Sequence, residues 1–163
     1  MRTIRNKLLL ILCIALSLTA CDSKRVFDEY VSVSTQSWNS DNPVLFTFNV
    51  QDTINKKGLF INIRNNKKYA FSNLFLITHL NFPNGKKIVD TLEYEMTDVA
   101  GNFLGKGFTE IKESKLFYKE NVVFLSSGDY SISIAQAMRE SGKTEGIEKL
   151  EGITDVGFRI EKN

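Results

Sequence analysis

The chain predicts an all-β fold: a single β-sandwich, jelly-roll or immunoglobulin-like, behind a short N-terminal export segment. Three observations carry this. Short runs rich in aromatic and β-branched residues recur between turn residues along the whole chain. One pair of runs, Leu74 to Met96, reads as a hairpin whose two faces sort into an apolar and a less apolar set. Helical signal is confined to one short stretch, Ala135 to Glu140, ended by Gly142. About eight strands at such spacing make a sandwich.

The first residues stand apart from that pattern. Arg2, Arg5 and Lys7 give a positive start, and Leu8 to Leu18 is an apolar run of eleven residues. That is too short to cross about 30 Å of hydrocarbon, which needs roughly 20 residues. Small residues Thr19 and Ala20 then lead to Cys21, so the segment is an export signal and not part of the fold. Leu18-Thr19-Ala20-Cys21 resembles the bacterial lipobox, in which the Cys thiol is alkylated by diacylglycerol and becomes the new N-terminus. Each buried CH₂ is worth about 0.8 kcal/mol, and two or more chains anchor stably. The chain therefore divides into a lipoprotein signal peptide (residues 1–20), a lipidated N-terminus with a short tether (21–25) and a sandwich domain (26–163). The alternatives for the leader are an ordinary cleaved signal and an N-terminal membrane helix.

Removing the first 20 of 163 residues leaves 143, enough for one domain with a real core. Three cations and no acids leave with the signal, so 18 basic side chains remain against 19 acidic ones. A balance near −1 gives no electrostatic case for a nucleic-acid partner. Cys13 lies in the signal and Cys21 is the lipid site, so no internal disulfide is expected. Packing must then supply the stability, and twelve Phe, five Tyr and Trp38 are available for it.

The strand segments follow in order. Val44 to Val50 and Leu59 to Ile63 are bounded by the turn-rich stretches 52–58 and 65–68. Lys115 to Tyr118, Val122 to Leu125, Tyr130 to Ile134 and Val156 to Ile160 come later. Within the hairpin, Phe82-Pro83-Asn84-Gly85-Lys86 fits a three-residue loop, with Pro at the first turn position and Gly at the left-handed one. That turn sets Leu80 opposite Ile88, Leu76 opposite Leu92 and Leu74 opposite Tyr94. Asp90 opposite Thr78 is the polar pair on the apolar face.

Residues with chemical potential are sparse. His79, the single histidine, faces Val89 on the less apolar side of the hairpin. A histidine is the usual general base near neutral pH, but no free cysteine and no Gly-x-Ser-x-Gly elbow accompanies it. Zinc wants three or four nitrogen, sulfur or carboxylate ligands, so no metal is expected. Glu93 and Glu95 share one strand face, where solvation is the simplest role. Gly101 to Gly107 lacks the Gly-Lys-Ser/Thr of a phosphate loop, and its glycines suit a bulge or a close backbone approach. Lys56-Lys57, Lys67-Lys68 and Lys86-Lys87 read as solvated turn tips, with a patch facing anionic lipid or polysaccharide as the sharper option. No catalytic set and no cofactor site is expected.

Longer segments resemble a known family. Leu59-Phe60-Ile61-Asn62-Ile63-Arg64-Asn65, Ser72 to Ile77, Asn81 to Lys86 and Asp90 to Met96 are similar to the GldH family, gliding-motility lipoproteins of Bacteroidota. The likeness continues through Gly101 to Glu120, Gln136 to Arg139 and Gly152 to Ile160. It implies a lipid-anchored, non-enzymatic envelope protein tied to gliding machinery and, through it, to type IX secretion. Its partners would be membrane lipid through acylated Cys21 and other envelope proteins of that complex. Of the family's functional positions only Cys21 carries over. The signal for surface export in these bacteria is an acidic cluster after the Cys. Asp22-Ser23-Lys24-Arg25 is mixed, which favours the periplasmic face of the outer membrane. Asp52-Thr53-Ile54 and Asp90-Thr91-Leu92 match the Asp-Ser/Thr-aliphatic pattern that the same bacteria O-glycosylate, making Thr53 and Thr91 candidates. The alternative function is a glycan- or ligand-binding sandwich, with Trp38, Tyr69 and Tyr118 as the aromatics that would meet sugar.

Overall fold

A computed structural model describes residues 22–33 and 37–163. Ten strands follow in chain order: β1 (Arg25–Ser32), β2 (Ser37–Asn39), β3 (Val44–Val50), β4 (Lys57–Asn65), β5 (Asn73–Asn81), β6 (Lys87–Glu95), β7 (Lys112–Val122), β8 (Gly128–Gln136), β9 (Lys149–Glu151) and β10 (Ile153–Lys162). Eight are long. They form two antiparallel four-stranded sheets, β1-β10-β4-β7 and β3-β8-β5-β6, while β2 and β9 make a short ribbon. Counting only the long strands, the first sheet holds the first, eighth, third and sixth. The second sheet holds the second, seventh, fourth and fifth. This is jelly-roll connectivity, which settles the choice against immunoglobulin-like connections.

The inward faces are written in the strands. Val44, Phe46, Phe48 and Val50 point inward from β3 and alternate with exposed Leu45, Thr47 and Asn49. Tyr130, Ile132 and Ile134 do the same from β8, and Val156, Phe158 and Ile160 from β10. Central β4 is covered on both faces along most of its length. Phe48 sits in the middle of the aromatic core, with ring centroids 5.5 Å from Phe27, 5.5 Å from Phe158 and 5.8 Å from Tyr130.

The β5–β6 hairpin has the register that its turn demands. Leu74 pairs with Tyr94, Leu76 with Leu92, and Leu80 with Ile88. Phe82 N–H donates to the Lys86 carbonyl at 2.9 Å, and Gly85 takes φ of 83° in the left-handed region. The polar pair on its apolar face has a reason for being there. Thr78 Oγ1 donates to Tyr118 Oη at 3.2 Å, and that hydroxyl donates to Asp90 Oδ2 at 2.8 Å. Lys119 Nζ lies 2.9 Å from the same carboxylate oxygen. A strand of each sheet is thus tied to the other, and the buried hydroxyls are satisfied.

Burial pushes the Asp90 carboxyl up, but the Lys119 ammonium and the Tyr118 hydroxyl outweigh it and hold it below its ordinary value. The Glu161 carboxyl is also depressed: burial raises it, and Lys115 and Arg159 more than offset that. A carboxylate depressed on folding adds stability that is present above its unfolded pKa of about 4 and is lost as pH falls through its lower folded value. The unfolding midpoint should therefore stay level from about pH 8 to 5 and drop steadily below about pH 4. Thermal melts across that range check it, with Asp90→Asn showing a flatter acid limb. A midpoint unchanged down to about pH 3 would contradict the linkage.

Four expectations are corrected. Ala135 to Glu140 is not a helix: Ala135 and Gln136 complete β8, paired with Ile77 and Leu76 of β5. The Gln136 side chain then accepts from Met138 N–H at 2.9 Å and donates to the Ile147 carbonyl at 2.6 Å, which turns the chain away. Val122 to Leu125 is not a strand of its own. β7 ends at Val122, after Asn121 at a positive φ of 54°, and the connector buries Phe124 while exposing Leu125. Lys57 is not a solvated tip but is 3% exposed, bonded to Asp52 Oδ2 at 2.6 Å. The strands number ten among the described residues rather than about eight, because β2 and β9 add a short ribbon.

Candidate functional site

The end of the sandwich nearest residue 21 is built first from the sequence that follows it. Cys21 itself lies outside the described residues, which begin at Asp22. Asp22 begins a tight turn. Its carbonyl accepts from Arg25 N–H at 3.3 Å, and its Oδ1 accepts from Lys24 N–H at 3.2 Å. The Lys24 carbonyl accepts from Lys162 N–H at 2.8 Å, so the turn is stitched to β10 before β1 begins.

Arg159 clamps the arrangement. Its guanidinium reaches Asp22, Asp28 and, at 2.6 Å, Glu161. Glu161 also takes Lys115 Nζ at 2.8 Å, and that ammonium sits 4.0 Å from the Phe60 ring centroid. The hydrogen bond from Arg159 holds the Asp22 carboxyl below its usual range. Among the described residues, contacts to β10 start at Asp22, and β1 starts at Arg25.

A second polar cluster lies on the same outer sheet face. The Tyr30 ring covers Gly157, where a Cβ would come within 2.8 Å of it. Tyr30 Oη donates to Glu113 Oε1 at 3.1 Å and accepts from Asn62 Nδ2 at 2.9 Å. Arg64 Nε donates to Glu113 Oε2 at 2.7 Å, and its guanidinium lies 4.2 Å from the Tyr30 centroid. Burial and the Glu113 carboxylate push the Tyr30 hydroxyl up to about 12. These groups bind each other and hold the sheet's shape. Neither cluster is among the residues that the sequence singles out. The period-two sets Asp28, Tyr30, Ser32 and Asp155, Gly157, Arg159, Glu161 were the available signal.

The remaining candidates are dispersed. Thr53 sits half-buried in the β3–β4 loop, where Asp52 Oδ1 caps Ile54 N–H at 3.1 Å and Asn55 N–H at 3.0 Å. Those bonds and Lys57 keep the Asp52 carboxyl well below its usual range. Thr91 is exposed on β6, opposite Ile77 of β5. His79 is exposed between Val89 and Ser133. Glu93 and Glu95 are both exposed, with Glu93 Oε1 accepting from Asn73 Nδ2 at 2.9 Å. In the glycine-rich stretch, a Cβ on Gly105 would meet Ser114 Oγ at 2.8 Å, and one on Gly107 would meet the Ile111 carbonyl at 2.4 Å. Close backbone approach is what those glycines serve. Of the other paired lysines, Lys67 meets Glu110 at 2.9 Å while Lys56, Lys68, Lys86 and Lys87 are exposed.

The aromatics proposed to meet sugar are not at the surface. Trp38 is 1% exposed, Tyr69 3% and Tyr118 7%. Trp38 Nε1 donates to the Asn42 carbonyl, Tyr69 Oη to the Asn73 carbonyl, and Tyr118 joins the Asp90 bridge. Each ring is core with its polar tip satisfied. Among the described residues, no helix is long and apolar enough to cross a membrane.

Comparison with known proteins gives the sandwich a family. The chain is 54% identical over 159 residues to a gliding motility lipoprotein GldH of Flavobacterium johnsoniae, covering 98% of each chain. It is 57% identical over 145 residues to a gliding motility lipoprotein GldH homolog of Christiangramia forsetii, covering 89% of this chain and 88% of that one. Solved structures resemble it more distantly. A VP2 subviral particle of infectious bursal disease virus matches with a TM-score of 0.41 and 13% identity, over 87% of this chain and 33% of that one. Dimeric latent PorU from Porphyromonas gingivalis matches with a TM-score of 0.36 and 10% identity, over 88% of this chain and 14% of that one. The GldH lipoprotein family model matches residues 25–160, from the first residue of β1 almost to the end of β10, and with those two relatives it establishes that the chain belongs to the GldH lipoprotein family.

Proposed function

We propose that this envelope lipoprotein is a non-catalytic component of gliding machinery and of the type IX secretion linked to it. We place it on the periplasmic face of the outer membrane, held by acyl chains on Cys21. The observation that carries the reading is the match to the Flavobacterium johnsoniae gliding motility lipoprotein over 98% of both chains. The anchor end supports it. Asp22, the acid beside the lipid site, is taken up by Arg159 and so offers no open acidic cluster for surface export. The outer sheet face supports a scaffolding role, since its charged groups are matched to each other instead of converging on a reactive centre.

The reading predicts partners. Crosslinking of intact cells, detergent extraction and pull-down of a tagged full-length chain should recover other envelope proteins, in particular other members of the motility or secretion apparatus. A chain recovered alone after gentle crosslinking would sink the proposal.

A further inference from the structure

One end of the sandwich gathers an unusual set of side chains. Strand pairing aligns Arg25 with Glu161, Lys162 with Lys57, and Lys57 with Val122, in a row across the first sheet. The second sheet ends at the same side with Val50 opposite Gly128, and Gly128 packs against Pro83 of the hairpin turn. The loops 51–56, 82–86 and 123–127 therefore share the end on which Asp22 sits. Two of them present large apolar side chains to solvent: Ile54 is 83% exposed and Leu125 86%. Val26 stands beside them, 46% exposed, at the start of β1.

Cations are in excess at this end. Lys24, Arg25, Lys56, Lys86 and Lys162 are exposed and enter no ion pair among the described residues. The local acids are largely engaged. Asp52 holds Lys57, and Asp129, which accepts from neutral Asn49 Nδ2 at 2.6 Å, stands with Glu120 against those five cations. Protruding aliphatics ringed by cations match a bilayer interface, where apolar tips enter the acyl boundary and cations meet anionic headgroups.

Continuity with the anchor selects the occupant. Ordered packing begins one residue after Cys21, so the acyl chains leave no slack to lift this end off the bilayer. We infer that the Ile54 and Leu125 tips, with Lys24, Arg25, Lys56 and Lys162 around them, form a lipid-seating surface that orients the body on an anionic leaflet. The inference rests on the lipid anchor in the proposed function but goes beyond it: an anchor tethers, whereas this surface fixes which way the body stands. The β6–β7 excursion, with fully exposed Val99 and Phe108, then points away from the membrane.

Site-specific labelling of the full acylated chain tests this. Ile54→Cys, Leu125→Cys and Phe108→Cys each introduce one thiol beside the blocked Cys21. Each variant carries an environment-sensitive fluorophore in vesicles of phosphatidylethanolamine and phosphatidylglycerol doped with spin-labelled lipid. Labels at 54 and 125 should be blue-shifted and quenched, and the label at 108 should stay aqueous. Charge removal by Lys56→Gln should shift the seated population about fivefold towards the unseated one. Equal quenching at all three positions, or none at 54 and 125 in protein that still floats with the vesicles, overturns the seating surface and leaves the anchor standing. Protein that fails to float, with an unmodified residue 21 by mass, overturns the anchor and the seating together.

Discussion

Cys21→Ser, exported behind a conventional cleavable signal, should move the protein from the membrane fraction to the soluble periplasm. Two or more acyl chains at about 0.8 kcal/mol per buried CH₂ hold a protein essentially permanently, whereas cations and two aliphatic tips give only weak, salt-sensitive adhesion. Among the described residues no helix is long and apolar enough to cross a membrane. Fractionation in high salt reads the outcome, and a variant that stays with the membrane after that wash would refute lipid anchoring. Intact-mass measurement of the native protein gives the complementary reading. The mature mass should equal the chain from Cys21 plus its lipid, with any further hexose-sized increments lost in Thr53→Ala or Thr91→Ala. A mass with no such excess removes both threonines as glycosylation sites.

The parts of this molecule legible in the sequence are those where local chemistry and long-range packing demand the same thing. β3 occupies Val44–Val50 as expected, because alternate Val and Phe residues specify both strand and buried face. The β5–β6 register was readable because the Pro83–Gly85 turn and the apolar alternation each fix it independently. β1 was harder. Asp28 and Ser32 look like loop residues until they meet Arg159 and Asp155, which lie 131 and 123 residues away. β2 and β9 are three residues each, too short for any period to show. The helix expected over Ala135 to Glu140 failed because local propensity was overridden by pairing with β5. Trp38, Tyr69 and Tyr118 were misplaced for a related reason. Trp38 and Tyr69 stand outside any periodic run, and the predicted strand over Lys115 to Tyr118 holds Leu116, Phe117 and Tyr118 in succession, so neither setting says which side faces water. The charged end that holds Asp22 was only half legible, as lysine pairs whose common location depends on four separate loops and termini.

Phe48→Ala should be among the most damaging single substitutions in the folded body. Phe48 is 4% exposed, and its ring meets four others: Phe27 from β1, Phe158 from β10, Tyr130 from β8 and Phe124 from the connector after β7. Both sheets and the anchor-end connector therefore lean on one side chain. Truncating a buried Phe costs about 3–5 kcal/mol, and the lost aromatic pairs add to it. Against a typical domain stability of about 5–15 kcal/mol, that removes a large share. A domain of this size should then melt about 10 °C lower. Leu45→Ala, three residues away on the outward face and 60% exposed at the native Leu, supplies the contrast and should cost well under about 1 kcal/mol. Urea unfolding of both variants decides it. If Phe48→Ala loses no more than Leu45→Ala, the aromatic cluster is not what holds the two sheets together. The loss should also propagate to the 123–127 connector, because Phe124 packs on Phe48 and fixes the segment that carries Leu125.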